Sequence, residues 1–336
     1  MDALRTLEIL ITSRTPLIAI ETLEEERVEQ ALERVAQGLR IPLFVWTMTV
    51  IAGMKKEILS RDRVLDCVPE EEGLDDVGGL HGLKAWIEKR RNAFTPEAKQ
   101  VGVEAPRGIL LLGVQGCGKS LAAKAVAKAW GLPLLRLEPG RLFDKFVGES
   151  EKNLDRALAT DERMAPCVLM IDEIEKGFAS VVSSESDGGL SRRILGRLLG
   201  WMQEREAPVF LVATCNQITA LPPELMRKSR FDEIFFIDLP APDERRQIFA
   251  IHLARRQRDA SSFDLPALAA AAEGFSGAEI EQAVVAALYT AFARGAQLST
   301  EHILEEIKAT KPLSVTRAEE VQDLREWARG RAVPAS

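Results

Sequence analysis

The sequence predicts an α/β protein: a parallel sheet flanked by helices, followed by a helical subdomain and preceded by a short β-α-β segment. Three features carry that expectation. Between Arg107 and Leu239, short apolar runs alternate with amphipathic stretches, the pattern of a parallel sheet with helices on both faces. After Pro240-Ala241-Pro242 the strand-like runs stop and helical periodicities follow one another. Ahead of both, residues 1–68 hold two apolar runs separated by one helical pattern.

In that first segment Pro16-Leu17-Ile18-Ala19-Ile20 and Leu43-Phe44-Val45-Trp46 are the strand candidates, and Val28, Ala31, Leu32, Val35 and Leu39 recur between them at helical spacing. It has no phosphate-binding glycines, so a packing or docking role is expected. Residues Arg61 to Gly73 are polar and end in Glu70-Glu71-Glu72-Gly73, which suits an exposed linker. The sheet strands expected next are Ile109–Leu112, Pro133–Leu137, Val168–Ile171, Val209–Ala213 and Ile234–Leu239. Helices are expected over about Glu244–Arg256, Leu265–Ala272, Gly277–Arg294 and Thr300–Lys308, the third opening with a Ser276/Glu279 capping box. This divides the chain into an N-terminal β-α-β region (1–68), a large α/β subdomain (69–239) and a helical subdomain (240–336).

Composition removes several function classes. A chain of 336 residues buries about three quarters of its extended surface on folding, so it needs no disulfide or metal staple. The net charge of −7 argues against a nucleic-acid coat, and 6% aromatic residues with a single Tyr leave few stacking platforms. No apolar run approaches the ~18–20 residues of a bilayer span. Cys67, Cys117, Cys167 and Cys215 form no C-x-x-C pair, and His81, His252 and His302 leave a zinc site short of ligands, so reduced cysteines are expected. Met1-Asp2-Ala3-Leu4-Arg5 shows neither the basic start nor the apolar stretch of a secretory signal. No period of 20–50 residues repeats, which argues against a solenoid.

The chemistry begins after the strand Ile109–Leu112. Gly113-Val114-Gln115-Gly116-Cys117-Gly118-Lys119-Ser120 fits G-x-x-x-x-G-K-[ST] and leads, with Leu121 counted in the same nucleotide-binding stretch, into a helix ending near Trp130. Glycines there let backbone N–H groups converge on phosphate oxygens, and the helix points its positive end at the anion. Lys119 offers a mobile charge for the β- and γ-phosphates, and Ser120 a hydroxyl for Mg²⁺. The strand Val168–Ile171 then delivers Asp172 and Glu173 to the same edge of the sheet. Asp172 suits the metal and Glu173 suits the attacking water, because phosphoryl transfer needs positioning and charge neutralisation. No [NT]-K-x-D guanine reader is present. Asn216, at the tip of Val209–Ala213, reads either as a turn residue or as an amide bridging phosphate and water. Arg227 and Arg230 read either as surface ion-pair partners or as fingers reaching a neighbouring subunit's phosphate. Cys117 reads as packing, and Trp86, Trp130 and Trp201 as core or interface anchors.

From Gly113 to Ala278 the chain resembles the AAA ATPase module, and its nearest likeness is to a cyanobacterial and algal plastid-encoded branch of it. The resemblance implies that Asp76, Val77 and Gly78, within Leu74-Asp75-Asp76-Val77-Gly78-Gly79-Leu80, hold the base. It makes Asn216 sensor 1 and makes Arg227 and Arg230 paired arginine fingers, although Lys228-Ser229 stands between them where the family usually has Pro-Gly. Gly274-Phe275-Ser276-Gly277-Ala278-Glu279-Ile280 matches the start of the lid helix, with the small Ala278 where related clades carry an arginine. Arg141 to Glu151 resembles the first pore loop, placing Phe146 in a central channel with Lys145 and Val147 beside it; alone, Phe146 would read as core. The Ser/Gly-rich stretch Ala179 to Gly189 falls near the family's second pore loop. Relatives in that branch carry a longer region before Leu74, of which residues 1–68 match only the opening part.

The resemblance thus implies a Mg²⁺-dependent ATP hydrolase, assembled as a homo-oligomeric ring, a hexamer, that remodels or threads an unidentified protein substrate. It would act in the bacterial cytoplasm, or in the plastid stroma if plastid-encoded. An ATP-gated scaffold that does not thread its partner is the alternative, and a nucleic-acid motor or loader is disfavoured by the acidic balance.

Overall fold

The computed structural model describes Val35 and residues 64–69, 71–142, 149–183, 189–227 and 230–336. The chain forms two compact units, 1–58 and 59–336. Of the first, only Val35 is described, helical and buried; the expected β-α-β segment otherwise lies outside the described residues, and the architecture below belongs to the second unit.

That unit is built on strands β1 (Leu65–Val68), β2 (Gly108–Gly113), β3 (Leu134–Leu137), β4 (Cys167–Ile171), β5 (Val209–Cys215), β6 (Glu233–Ile237) and β7 (Val333–Pro334). They form one sheet in the order β1-β3-β4-β5-β2-β6-β7. Every pairing is parallel except β1 with β3. Strands β2, β4 and β5 are buried along their whole length, which is why they read as unbroken apolar runs rather than alternating ones. From β2 the chain crosses one way to β3, whereas from β5 it crosses the other way, over β2, to β6. The crossovers therefore diverge beside the carboxyl ends of β2 and β5, where an open parallel sheet forms its binding crevice.

Helices α1 (His81–Lys89), α2 (Lys119–Trp130), α3 (Glu149–Met164), α4 (Ile174–Ser183) and α5 (Leu190–Glu204) cover the sheet. One face packs Leu110, Leu112, Leu169 and Leu211 against Leu154, Phe178 and Leu198. The other packs Ile109, Leu111, Phe210 and Val212 against Ile87, Val126 and Trp130. Phe210 and the Trp130 ring meet edge-on, 4.6 Å between centroids, and the indole N–H donates to Ile87 O at 3.1 Å. After β6 come α6 (Pro242–Arg255), α7 (Leu265–Ala271), α8 (Gly277–Ala293), α9 (Thr300–Ala309) and α10 (Ala318–Ala328). Phe249, Leu268, Phe275, Ile280 and Ile303 give the helical part a core of its own. The Ser276/Glu279 capping box at the start of α8 is present, with Ser276 N–H donating to Glu279 Oε2 at 2.8 Å.

Two segments depart from the sequence reading. Leu65–Val68, read as part of a linker, is an antiparallel edge strand: Leu65 is buried, and Asp66 pairs with Arg136 and Arg141. The charges that made the segment look solvated are neutralised by the neighbouring strand and the turn after it. The end of the chain, read as part of the helical subdomain, returns to the sheet. Arg325 of α10 grips Asp238 through two N–H groups at 2.8 and 2.9 Å, and β7 pairs with β6. A two-residue strand containing Pro carries no periodicity to detect, and an edge is where Pro is tolerated. Among the described residues, no helix is long and apolar enough to cross a membrane.

Phe210 is fully buried between two tryptophans. Phe210→Ala is expected to destabilise the fold by about 3–5 kcal/mol, read as a lowered urea midpoint with an unchanged slope. An unchanged midpoint would contradict this packing.

Candidate active site

The site begins where β2 runs out. Gly113 lies so close to β6 that an added Cβ would stand 1.9 Å from Ile237 O. Gly116 and Gly118 have φ of +79° and +88°, conformations open to glycine and costly to other residues. The loop therefore curls tightly and hands its backbone to the N-terminus of α2. Lys119, 5% exposed, folds back and donates to Gly113 O and Val114 O, each at 2.8 Å. Among the described residues no carboxylate pairs with it, and burial lowers its pKa. A buried ammonium held only by carbonyls at a helix N-terminus is a site built for an anion.

The acidic tip of β4 faces this loop. Asp172 Oδ1 accepts two hydroxyl hydrogens, from Ser120 at 2.9 Å and from Thr214 at 2.5 Å. Glu173 has a left-handed backbone, φ 51°, a strained conformation for a residue with a Cβ. Its N–H donates to Thr214 Oγ1 at 2.8 Å. Asn216, at the end of β5, donates its amide to Glu173 Oε1 at 2.9 Å, while its backbone N–H donates to buried Glu175 at 2.9 Å. Lys176 pairs with Glu173 Oε2. Among the residues of this cluster that sequence reasoning missed are Thr214 and Lys176. A threonine at the tip of an apolar strand is a detectable signal, since a buried hydroxyl needs partners. Lys176 gives none beyond its spacing of three from Glu173.

The loop, Asp172, Glu173 and Asn216 open onto a cavity of about 380 Å³, large enough for a nucleotide-sized ligand. At its far end sit Asp76, Val77 and Gly78. Asp76 accepts from Gly73 N–H at 2.8 Å and pairs with Arg255, and these contacts hold its carboxyl below the usual range. Gly78 abuts α6 so closely that a Cβ would stand 2.5 Å from Ile248 Cγ1. Ile248 and His252 of α6 also line this end, and burial pushes the His252 pKa down. The helical part closes the cavity from above: Ala278 N–H donates to Gly116 O at 2.9 Å. Leu121 and Cys117 complete the wall. Burial pushes the Cys117 thiol up to about 12, so it stays protonated, as packing requires and a reactive thiol does not.

The donor set fits a hard divalent cation. Ser120 and Asp172 present a hydroxyl and a carboxylate side by side, and among the described residues no cluster of three or more His, Cys, Asp or Glu side chains competes for it. That poverty of protein ligands suits Mg²⁺, which keeps waters and substrate phosphates as its remaining partners.

Arg227 and Arg230 are not brought into this cavity by their own chain. Arg227 is exposed, and Arg230 donates to Leu199 O of α5 with its Nε left without a partner. Lys228 and Ser229 between them, and Lys145, Phe146 and Val147, lie outside the described residues.

Comparisons with known proteins agree with this geometry. Residues 109–239 match the ATPase family associated with various cellular activities (AAA), residues 262–306 the AAA+ lid domain, and residues 3–73 the N-terminal domain of SpoVK-like AAA ATPases. An uncharacterized AAA domain-containing protein, ycf46, of Pyropia yezoensis is 44% identical over 86% of this chain and 59% of its own. The ycf46 protein of Trieres chinensis is 40% identical over 92% of this chain and 62% of its own. The chain thus spans about three-fifths of the length of these relatives. A proteasome-activating nucleotidase of Aeropyrum pernix is 34% identical over 60% of this chain and 50% of its own. The crystal structure of the FIGL-1 AAA domain shares the fold, with a TM-score of 0.66 at 21% identity over 86% of this chain and 97% of that one. The chain carries an AAA ATPase domain followed by an AAA+ lid domain.

Proposed function

We propose that this chain is a Mg²⁺-dependent ATP hydrolase that works as a ring of identical subunits and couples turnover to the remodelling of a protein. The observation that carries the hydrolytic reading is the hydrogen-bonded run Ser120–Asp172–Thr214–Glu173–Asn216, set opposite a buried ammonium. Gly116, Gly118 and the first turn of α2 would hold the phosphates through backbone N–H groups, with Lys119 released from its two carbonyls to meet them. Asp76, Val77 and Gly78 would hold the base against α6. Ser120 and Asp172 would hold Mg²⁺, which when bound neutralises charge on the phosphates. Glu173 would accept the hydrogen of the attacking water, with Asn216 keeping the carboxylate turned toward it.

The exposure of Arg227 and its absence from its own chain's cavity support an action on the next subunit's nucleotide. Ala278, which brings no charge, leaves that task to a neighbour. One copy giving the arginine and another giving the site is a head-to-tail contact, and repeated contacts of that kind form a ring when the rotation between copies closes. A six-membered ring and a protein substrate rest on the family likeness, to which the comparisons add a relative named for activating a proteasome. The proposed pore residues Lys145, Phe146 and Val147 rest on the same likeness.

Glu173→Gln is expected to lower turnover by about 10²–10⁴-fold while ATP binding, followed by calorimetry, is retained. Wild-type turnover would remove Glu173 from the reaction. Arg227→Ala is expected to lose about 10³-fold or more, and mixing it with Glu173→Gln should restore activity, because mixed rings join an intact site to an intact arginine. Absence of any recovery on mixing would count against action between subunits. Phe146→Ala should spare basal hydrolysis and abolish unfolding of a tagged model substrate; unfolding at the wild-type rate would favour the non-threading scaffold.

A further inference from the structure

Lys176 stands where a helix is poorly served by a cation. It is the third residue of α4, in the turn where the helix dipole favours acids and opposes ammonium groups. Its side chain is 67% exposed, so burial does not place it there either. It does have a specific contact: its ammonium pairs with Glu173 Oε2, and that pairing raises its own pKa.

Everything else about Glu173 is already fixed. Its backbone is held in the left-handed region, with the N–H donated to Thr214 at 2.8 Å and the carbonyl accepting from Lys176 N–H at 2.9 Å. Asn216 holds Oε1 at 2.9 Å. The remaining freedom is rotation of the carboxylate, and Lys176 engages the one oxygen that Asn216 leaves. Among the described residues no other cation pairs with Glu173. Arg317 lines, with Glu173 and Lys176, a second cavity of about 360 Å³, but pairs with Glu320 at 3.4 Å. Lys119 is turned to the carbonyls of the phosphate loop.

We propose that Lys176 is a positioning residue for hydrolysis: its ammonium and the Asn216 amide grip the two oxygens of Glu173 and set that carboxylate toward the phosphate end of the cavity. The inference rests on the reading of Glu173 as the group that receives the water's hydrogen. An ordinary surface ion pair between residues three apart would have almost no effect on any rate.

The test is Lys176→Met alongside Lys176→Arg. The Met variant should lose about tenfold in kcat, with KM and the affinity for a non-hydrolysable ATP analogue unchanged within about twofold, and with an unaltered melting temperature. The Arg variant should recover most of the loss. In a Glu173→Gln background, Lys176→Met should lower the residual rate no further, since two residues acting through one carboxylate are not additive. Wild-type kcat in the Met variant, or a full further loss in the double variant, would overturn the proposal; a raised kcat would make the ammonium a brake and overturn it equally. If Glu173→Gln alone keeps its turnover, the reading beneath this inference fails first. If that variant collapses while Lys176→Met turns over normally, only the inference fails.

Discussion

One carboxylate oxygen organises the phosphate end of this molecule. Asp172 Oδ1 takes hydrogen bonds from Ser120, at the start of α2, and from Thr214, at the tip of β5. Three separate elements are thereby tied at one point: the helix after β2, the end of β4 and the end of β5. Thr214 then uses its own oxygen to receive the Glu173 N–H, which fixes the strained backbone turn leading away from the sheet. Such strain persists only where surrounding contacts over-determine it. Here a buried threonine, 1% exposed, supplies the contact, and a hydroxyl that both donates and accepts is the group able to do so. Valine at this position would fill the same space and link nothing.

The lid depends on the same loop from the opposite side. Ala278 N–H reaches Gly116 O, and a Cβ on Gly116 would stand 2.9 Å from Ser276 Oγ. At the other end of the cavity, Gly78 meets Ile248, and Gly79 N–H donates to Gln247 at 3.0 Å. Helices α6 and α8 are thus joined to the backbone that lines the cavity at both of its ends by contacts with no room for a side chain. A ligand that moves the phosphate loop or the 74–80 segment has to move the lid with it, because close-packed backbone transmits displacement rather than absorbing it. Arg325 on Asp238, at the end of β6, holds the returning α10 to the same edge of the sheet.

Much of this was legible in the sequence, for physical reasons that differ from element to element. The strands β2, β4 and β5 announced themselves because burial on both faces forces unbroken apolar runs. The phosphate loop did so because its glycines are demanded by backbone conformation and by the approach of Ile237, and Asp172 with Glu173 because they follow a buried strand. What stayed hidden was set by pairing rather than by pattern. Leu65–Val68 carries an acid that only Arg136 and Arg141 make compatible with a strand edge. Val333–Pro334 is too short for any period. Ile248 and His252 line the cavity from a helix whose apolar and charged residues do not segregate to two faces, so nothing local singled them out. Lys176 looked like one more surface charge until its partner was seen.

Charge decides how much of the reaction one chain can manage. At the phosphate end the chain supplies Lys119 and Lys176 as cations and Asp172, Glu173 and Glu175 as acids, before any triphosphate arrives. Ala278 adds nothing. On the proposed reading, the deficit is met by Mg²⁺ and by a guanidinium from the next copy, and the segment carrying that guanidinium is built for presentation. Phe231 is buried behind it, and Asp232 accepts the N–H groups of Arg107 and Gly108 at 2.6 and 2.9 Å. The segment is therefore anchored to the base of β2, the strand that bears the phosphate loop. Arg230 rests on a single carbonyl with Nε unsatisfied, an incomplete environment for a group with five donors. A phosphate would satisfy it better than Leu199 does. On that reading the two arginines are unequal: Arg227, exposed, would reach a neighbour as it stands, whereas Arg230 would first have to leave α5.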